Sequence, residues 1–528
     1  MIVVDGMPDV DINRIDMNDI ESISVLKDAS SSAVYGSRAA NGVILITTKT
    51  GKGTDKFSVN YTGSVAFVNP IKFYDSLDDY AKNMTMHQWA AYAGRTSPKF
   101  GDGTIDEWFS MAMIDPIRFP NVNQLDWVTR QAMVQSHNIS ASGSTDKTNF
   151  YLSVGYLDEK GYIINNDHKR YNFRMNFDYK IRKNIRVGAR MDGQWTDSTY
   201  PHDQGMLSYT GADMTLSMAI PGILPYNFET QQYGGPMAEG EAINMHNLYA
   251  NYTLYRNFKE RQEFNGNVYG EWDIIDGLTA RVDFGLRYYN QFIKSYSDQP
   301  GVELWNFQTG KPTNVFIPES AGVRDALNQG YKTLTQASLR YEKTFARHHR
   351  VSALFSYNEE YWFNRTMGVG RDSRPHSSIV EVNGILNVNP FTRGASDKEG
   401  LRSYVGRASY SLYDRYLFEL NFRVDGSSKF LPGHQYGFFP SGSLGWRFSE
   451  EKFFEPVKKY ITSGKLRFSL GTLGNNSGVN KYEQKETLAA ANYALNGNNT
   501  VSGFAVNKMI KVSSINSIYP LVSDSRTL

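Results

Sequence analysis

A chain that alternates apolar and polar residues over nine or more positions can face a greasy and a wet environment at once. From Phe57 onward this chain does so repeatedly. Ile185–Trp195 puts Ile185, Val187, Ala189, Met191 and Trp195 on one side and Arg186, Gly188, Arg190, Asp192 and Gln194 on the other. Leu278–Tyr288 repeats the arrangement, with Leu278, Ala280, Val282, Phe284, Leu286 and Tyr288 set against Thr279, Arg281, Asp283, Gly285 and Arg287. Tyr171–Tyr179 and Tyr416–Val424 follow the same rule.

The period predicts about thirteen strands, near 57–68, 134–143, 147–157, 168–180, 185–197, 257–274, 278–296, 331–344, 350–363, 402–412, 416–425, 436–449 and 464–474. Their connections are unequal. Tight turns fall at 143–147, 181–184, 275–277, 346–349 and 413–415, with a compact link at 450–463, whereas 69–133, 198–256, 297–330 and 364–401 are long. All the short turns therefore gather at one end of the sheet, as in transmembrane barrels of bacterial outer membranes. A propeller requires a fixed period, but the turns centred at Ser144, Arg182, Asp276, Arg347 and Asp414 have none. Sandwich strands are usually about 5–6 residues; several here are twice that and match the roughly 9–11 of a tilted membrane strand. Tyr151, Tyr156, Tyr171, Tyr179, Tyr288, Tyr413 and Tyr416, near strand ends, fit interfacial girdles.

Composition agrees with this reading and excludes others. The 528 residues hold 14% aromatics, including 34 Tyr and 30 Phe, yet mean hydropathy is −0.47. That combination suits alternating strands better than buried apolar helices. No apolar run nears the ~18 residues of a spanning helix. With 56 basic and 54 acidic residues the chain presents no electrostatic footprint for nucleic acid. Cysteine is absent, which removes disulfides and thiolate chemistry. Asp5 comes early and no basic n-region precedes it, so the first residues are not expected to act as a signal peptide.

Asn18–Gly51 differs in kind. Ile23–Lys27 is an imperfect strand, Asp28 can cap a helical turn over Ala29–Tyr35, Gly36 can end it, and Asn41-Gly42 is a tight-turn pair before the β-branched run Val43–Thr48. Read by itself this is a small structural subdomain without a phosphate loop.

"VVDGMP" and "NDIESISVLKDASSSAVYGSRAANGVILITTKTGKG" closely resemble the end of the plug domain of SusC/RagA-type TonB-dependent outer-membrane transporters. "QSHNISASGSTDKTNFYLSVGYLDEKGYI", "DRYLFELNFRVDGSSKFLPGHQYGFFPSGSLGWRFSEEKFF" and "KLRFSLGTLGN" resemble the same family's barrel. The resemblance implies an all-β transmembrane barrel, here partial, about thirteen antiparallel strands of roughly twenty-two, joined to the C-terminal part of an α/β plug. It divides the chain into 1–52 (plug end), 53–475 (barrel portion with long extracellular loops) and 476–528 (an atypical tail). It also implies import of a bulky nutrient, an oligosaccharide or peptide, with a SusD-like surface lipoprotein as lid and the TonB complex supplying work. A receptor or adhesin that binds without importing is the alternative. Asp5, Gly6, Pro8, Asp19, Lys27, Asp28, Gly36, Arg38, Asn41 and Gly42 carry over as plug-motif positions with structural or gating roles. The signal peptide, the TonB-contact box and the first half of the plug are expected to precede Met1. The chain is thus expected to be an internal fragment, inactive in transport by itself.

Arg186, Arg190, Asp192, Arg281, Asp283 and Arg287 are expected to face inward and give the stopper a hydrogen-bonding wall. No catalytic residue, metal ligand or cofactor site is predicted. His348-His349 falls in a turn, "GDGTIDE" at Gly101–Glu107 reads as a solvated loop, and Glu359-Glu360 and Glu450-Glu451 are merely adjacent. Tyr249, Tyr252, Tyr255, Trp305 and Trp362 suit ligand contact, loop packing or girdle anchoring alike, so substrate-binding residues stay unassigned.

Overall fold

The computed structural model describes residues 1–26, 42–53, 57–71, 78–200, 220–237, 247–298, 302–317, 322–371, 376, 378–384, 391–472, 474, 476 and 478–482, with the backbone of 487–495 and 499–507. A small N-terminal sheet holds β1 (Ile2–Val4), β2 (Met7–Pro8), β3 (Ile20–Leu26) and β4 (Val43–Thr48) in the order β2-β1-β4-β3. Asp5 and Gly6 both take positive φ, 47° and 87°, and turn β1 back into β2. Val4, Ile15 and Ile46 form its main buried cluster, with Val3 and Val43 beside it. Gly42 enters β4 at φ 86°, where a Cβ would stand 3.0 Å from the Leu26 carbonyl oxygen. Lys27, Asp28, the helical turn expected at 29–35, Gly36, Arg38 and Asn41 lie outside the described residues.

The rest is one large sheet with loop excursions. In chain order come β5 (Ser58–Val68), β6 (Ala132–Ser144), β7 (Thr148–Lys160), β8 (Asp167–Arg182) and β9 (Ile185–Tyr200), then a loop hairpin of β10 (Tyr226–Asn227) and β11 (Gln232–Tyr233). They are followed by β12 (Tyr255–Ile275), β13 (Leu278–Ser297) and a second loop hairpin of β14 (Val302–Asn306) and β15 (Lys311–Ile317). The wall then resumes with β16 (Val323–Phe345), β17 (His349–Arg371), β18 (Phe391–Leu412), β19 (Tyr416–Ser427), β20 (Tyr436–Trp446) and β21 (Leu466–Gly471). Thirteen of these strands pair in the order β21-β20-β19-β18-β17-β16-β13-β12-β9-β8-β7-β6-β5, every neighbour antiparallel. In the tail, β22 (Thr487–Leu495) and β23 (Asn499–Asn507) form a separate hairpin.

The tight turns lie where the period predicts them. Ala346-Arg347 and Tyr413-Asp414 are consecutive left-handed pairs, with φ 46° and 64°, then 52° and 55°. This is the primed-turn geometry that matches strand twist, reached here without Asn-Gly. At the opposite end β16 and β17 run 8 residues and β18 runs 11 residues beyond the predicted bounds, in stretches where Gly and polar residues dilute the alternation. The predicted strand 436–449 instead stops at Trp446, where Phe448–Glu450 forms a 3-10 turn.

Burial along the wall is the reverse of a water-soluble sheet. Leu420, Val154 and Phe67 are 65–70% exposed, whereas Asn176, Ser403, Asn138 and Lys332 are 0–3% exposed. Leaving a row of apolar side chains in water forgoes about 1.5–3 kcal/mol for each; in lipid that penalty vanishes. Among the described residues no helix is long and apolar enough to cross a membrane, and the strands carry that role. Leu420→Arg should destabilise the membrane-inserted sheet by about 2–4 kcal/mol, against less than about 1 kcal/mol for the inward Gln336→Arg. Urea titrations of the chain folded into lipid vesicles would show the two variants shifting alike if the outer face did not meet lipid.

Candidate functional site

The concave, polar face of the wall holds the N-terminal sheet, and the contact is made of hydrogen bonds and ion pairs. At its centre is Asp19, 2% exposed. Its Oδ1 accepts from the Tyr151 hydroxyl at 2.9 Å and the Ser153 hydroxyl at 2.7 Å, and its Oδ2 from Arg174 Nε at 3.2 Å. The Arg174 guanidinium also faces Asp5 at 3.6 Å and Asp192 at 3.3 Å. One buried cation thus ties two N-terminal carboxylates to one wall carboxylate. Breaking such a group by removing one member is strongly unfavourable, because uncompensated charges stay buried.

Local geometry positions each partner. Asp16 caps the 3-10 turn Met17–Asp19 through the Asn18 amide at 2.9 Å, leaving its Oδ2 to accept from Asn138 at 3.0 Å. Asp5 accepts from the Thr48 amide and hydroxyl at 3.0 and 2.6 Å, and Thr48 Oγ1 accepts from Asn176 at 2.7 Å. Lys332, 3% exposed, donates to the Pro8 carbonyl at 3.1 Å and pairs with Asp9 at 3.0 Å and Glu360 at 2.9 Å. Arg14 pairs with Glu263, and Arg287 donates to the Asp9 carbonyl at 2.7 Å. Two wall glycines permit the approach: a Cβ at Gly285 would stand 2.3 Å from Met7 Sδ, and one at Gly155 2.7 Å from Asp16 Oδ2. The bonds span β6 to β16.

Residues 1–43 match the family model "TonB-dependent Receptor Plug Domain". TonB-dependent receptor P39 of Formosa agariphila is 29% identical over 511 residues, covering 96% of this chain and 45% of the relative. SusC of Bacteroides thetaiotaomicron is 26% identical over 505 residues, covering 90% and 46%. A solved structure described as the RagAB peptide transporter superposes with TM-score 0.75 at 20% identity, over 96% of this chain and 57% of that one. This chain is similar to the SusC-type TonB-dependent receptors over nearly its whole length and shares the fold of the RagAB transporter structure. It spans about half the length of the curated relatives it matches, 45% and 46% for those two. The N-terminal sheet corresponds to plug, and the thirteen-stranded sheet to part of the barrel wall.

Several sequence expectations meet the plug differently. Of the six expected wall residues, Arg287 reaches the plug directly and Asp192 through Arg174. Arg186, Arg190 and Arg281 instead pair within the wall, with Glu271 and Asp273, with Asp178 at 2.6 Å, and with Asp283 at 2.7 Å. Arg281 also lies 3.8 Å over the Tyr269 ring. Arg186 and Arg190 face carboxylates at cross-strand positions, which the one-dimensional pattern hides, whereas Arg281 meets Asp283 two residues along its own strand and Glu271 across from it at 3.5 Å. Tyr151 is a correction. Placed with the girdle aromatics, it is 3% exposed and turned inward onto Asp19, while Tyr171, Tyr179, Tyr288, Tyr413 and Tyr416 are 38–52% exposed. Its parity with Ser153 and Asn149 identifies the inner face. Arg174, Glu263 and Lys332 were missed, although Arg174 sits on the polar face of its strand.

The other candidates have the following neighbours. Tyr252 and Tyr255 are buried, and Tyr249 is half-buried against Trp127 at 5.4 Å and Tyr226 at 6.0 Å. Trp305 bridges to Gly234 through its backbone. Trp362 lies mid-strand in β17 with the Lys332 ammonium 4.6 Å from its ring. His349 bonds the Tyr410 hydroxyl at 2.7 Å and His348 stacks on Tyr413 at 4.6 Å. Glu359 pairs with Arg402, Glu450 with Lys458 and Glu451 with Arg415, each at 3.2 Å. "GDGTIDE" is not a plain loop: Gly103, φ 81°, starts the helix Thr104–Met111, whose first turn takes Asp106 and Glu107 as the helix dipole favours.

Arg174→Leu should weaken plug seating by about 3–5 kcal/mol. Hydrogen exchange would then accelerate at β1–β4 amides and stay unchanged in β17 and β18; equal protection of β1–β4 in both proteins would contradict a seating role. Gly285→Leu should loosen the same strands through Met7.

Proposed function

We propose that this chain is the plug end and part of the barrel of an outer-membrane importer for a bulky nutrient, an oligosaccharide or a peptide. In this reading residues 1–52 are plug, 53–475 barrel with extracellular loops, and 476–528 an atypical continuation. Asp5, Gly6, Pro8, Asp19 and Gly42 shape or seat the plug, and a SusD-like lipoprotein caps the loop side. The TonB complex draws on the inner-membrane proton gradient to move the plug. The observation that carries the reading is the polar seating of the plug, centred on Asp19 and Arg174. A hydrogen bond exchanged for water changes free energy by only about 0.5–1.5 kcal/mol. A stopper held this way can therefore be dislodged by applied work without exposing an apolar core.

Import and binding separate under an uncoupler. Cells carrying the intact gene should accumulate labelled oligosaccharide or peptide, and collapsing the proton gradient should abolish accumulation while surface binding persists. Uptake that ignores the gradient would favour the receptor or adhesin alternative. Arg287→Leu, which removes a bond to the plug, should slow uptake severalfold, and Arg281→Leu should do so less. Both variants should reach the outer membrane in normal amount, and equal uptake by all three proteins would reject the wall's role in gating.

A further inference from the structure

At the short-turn end, the connection between β20 and β21 is not a tight turn but carries two 3-10 turns, Phe448–Glu450 and Lys452–Val457. It is fastened to the outer rim of the wall. Tyr416 and Trp446 are cross-strand partners that share the outward parity of Phe418, Leu420 and Leu444. Glu451 accepts from the Tyr416 hydroxyl at 2.8 Å and from the Trp446 indole at 3.2 Å, and pairs with Arg415 at 3.2 Å. One side of the connection is closed: Phe448 meets Phe454 edge-on at 5.3 Å, and a Cβ at Gly464 would stand 2.3 Å from the Phe448 ring. The other side is open. Phe453, Val457, Tyr460 and Ile461 are 38–81% exposed, and the Phe453 ring lies 6.2 Å from Trp446.

We infer that this connection is a membrane anchor, lying outside the wall strands with its open apolar side in the turn-side leaflet, and that its ligand is the phospholipid surface. Continuity selects that occupant, because Phe453 extends the outward apolar face through Trp446 and Glu451 holds it there. The fastenings are on β19 and β20, inside the paired sheet and away from the edge strand β21. Strands added beyond β21 would extend the wall sideways and enclose its inner face, leaving the outer rim where it is. Charge is not the attraction: Phe448–Ile461 holds Lys452, Lys458 and Lys459 against Glu450, Glu451 and Glu455. Long lysine stems can lie along apolar surface with the ammonium in water, and amphipathic rings settle at headgroup level. A short segment with these parts lies in the interface rather than across it.

The test is spin labelling of the full chain in phosphatidylcholine vesicles. The sequence holds no cysteine, so each engineered cysteine takes the label alone. Labels at Phe453→Cys and Tyr460→Cys should favour oxygen over a water-soluble nickel chelate severalfold more than a label at Asp146→Cys in the β6–β7 turn. Their depth should be about 5–10 Å below the headgroups. Because the charges cancel, neither added anionic lipid nor high salt should change that depth. On the unaltered chain, a phospholipid with a photoreactive group at the top of its acyl chain should label peptides spanning residues 453–461, a readout that needs no substitution. The inference rests on the outer face meeting lipid, and Leu420→Cys separates the two. Nickel access at Leu420 would reject that reading and the anchor with it; oxygen at Leu420 with nickel at Phe453 and Tyr460 would overturn the anchor alone. A salt-dependent depth, or absence of photolabel from 453–461, would overturn it too. So would disulfide linkage of two Tyr460→Cys chains that shields the site from lipid, which would give the face to a second copy.

Discussion

Every peptide group that crosses hydrocarbon must find its hydrogen-bond partner inside the protein, and most of this structure follows from that. A sheet meets the demand with ladders between neighbours, which is why thirteen strands pair without interruption from β21 to β5. Once backbone bonding is settled, side chains divide by parity: Val154, Phe284 and Leu420 outward, Asn176, Lys332 and Ser403 inward. A wet inner face is thus a by-product of living in lipid, and it dictates the chemistry of whatever is lodged against it.

What is lodged there is held by charge and hydrogen bonding rather than by a shared apolar core. The plug keeps its own small core around Val4, Ile15 and Ile46 and presents carboxylates outward. Arg174 gathers Asp5, Asp19 and Asp192; Lys332 gathers Asp9 and Glu360. Each cation has been taken out of water, so its pairing is needed to offset desolvation more than to add net stability. Such contacts are specific in geometry yet replaceable by water.

The long connections behave as small structures of their own. The first contains the helices Tyr80–Ala93 and Thr104–Met111, packed round Tyr80, Met84 and Trp108 with Met237 arriving from another loop. Buried aromatics at edge-on angles, Trp108 against Tyr80 at 4.7 Å and against Phe119 at 5.3 Å, consolidate them. Aromatic residues in these loops accordingly divide between packing and exposure, and the choice depends on contacts between segments far apart in sequence.

Read alone, the sequence determined which residues form wall strands, where the tight turns fall, and which face of each strand is apolar. A period of two is a local property and survives without knowledge of neighbours. It also placed Arg287 and Asp192 on the inner face, and it held enough to turn Tyr151 inward, since that residue shares parity with Ser153. Only the tertiary structure decided which inward cations meet the plug and which meet a carboxylate of the wall itself. Arg174 and Arg281 are alike in sequence context, but Arg174 lies under Asp19 and Arg281 beside Asp283. The seat of the plug sets the first of these distances, across 155 residues of sequence, and no local pattern encodes it.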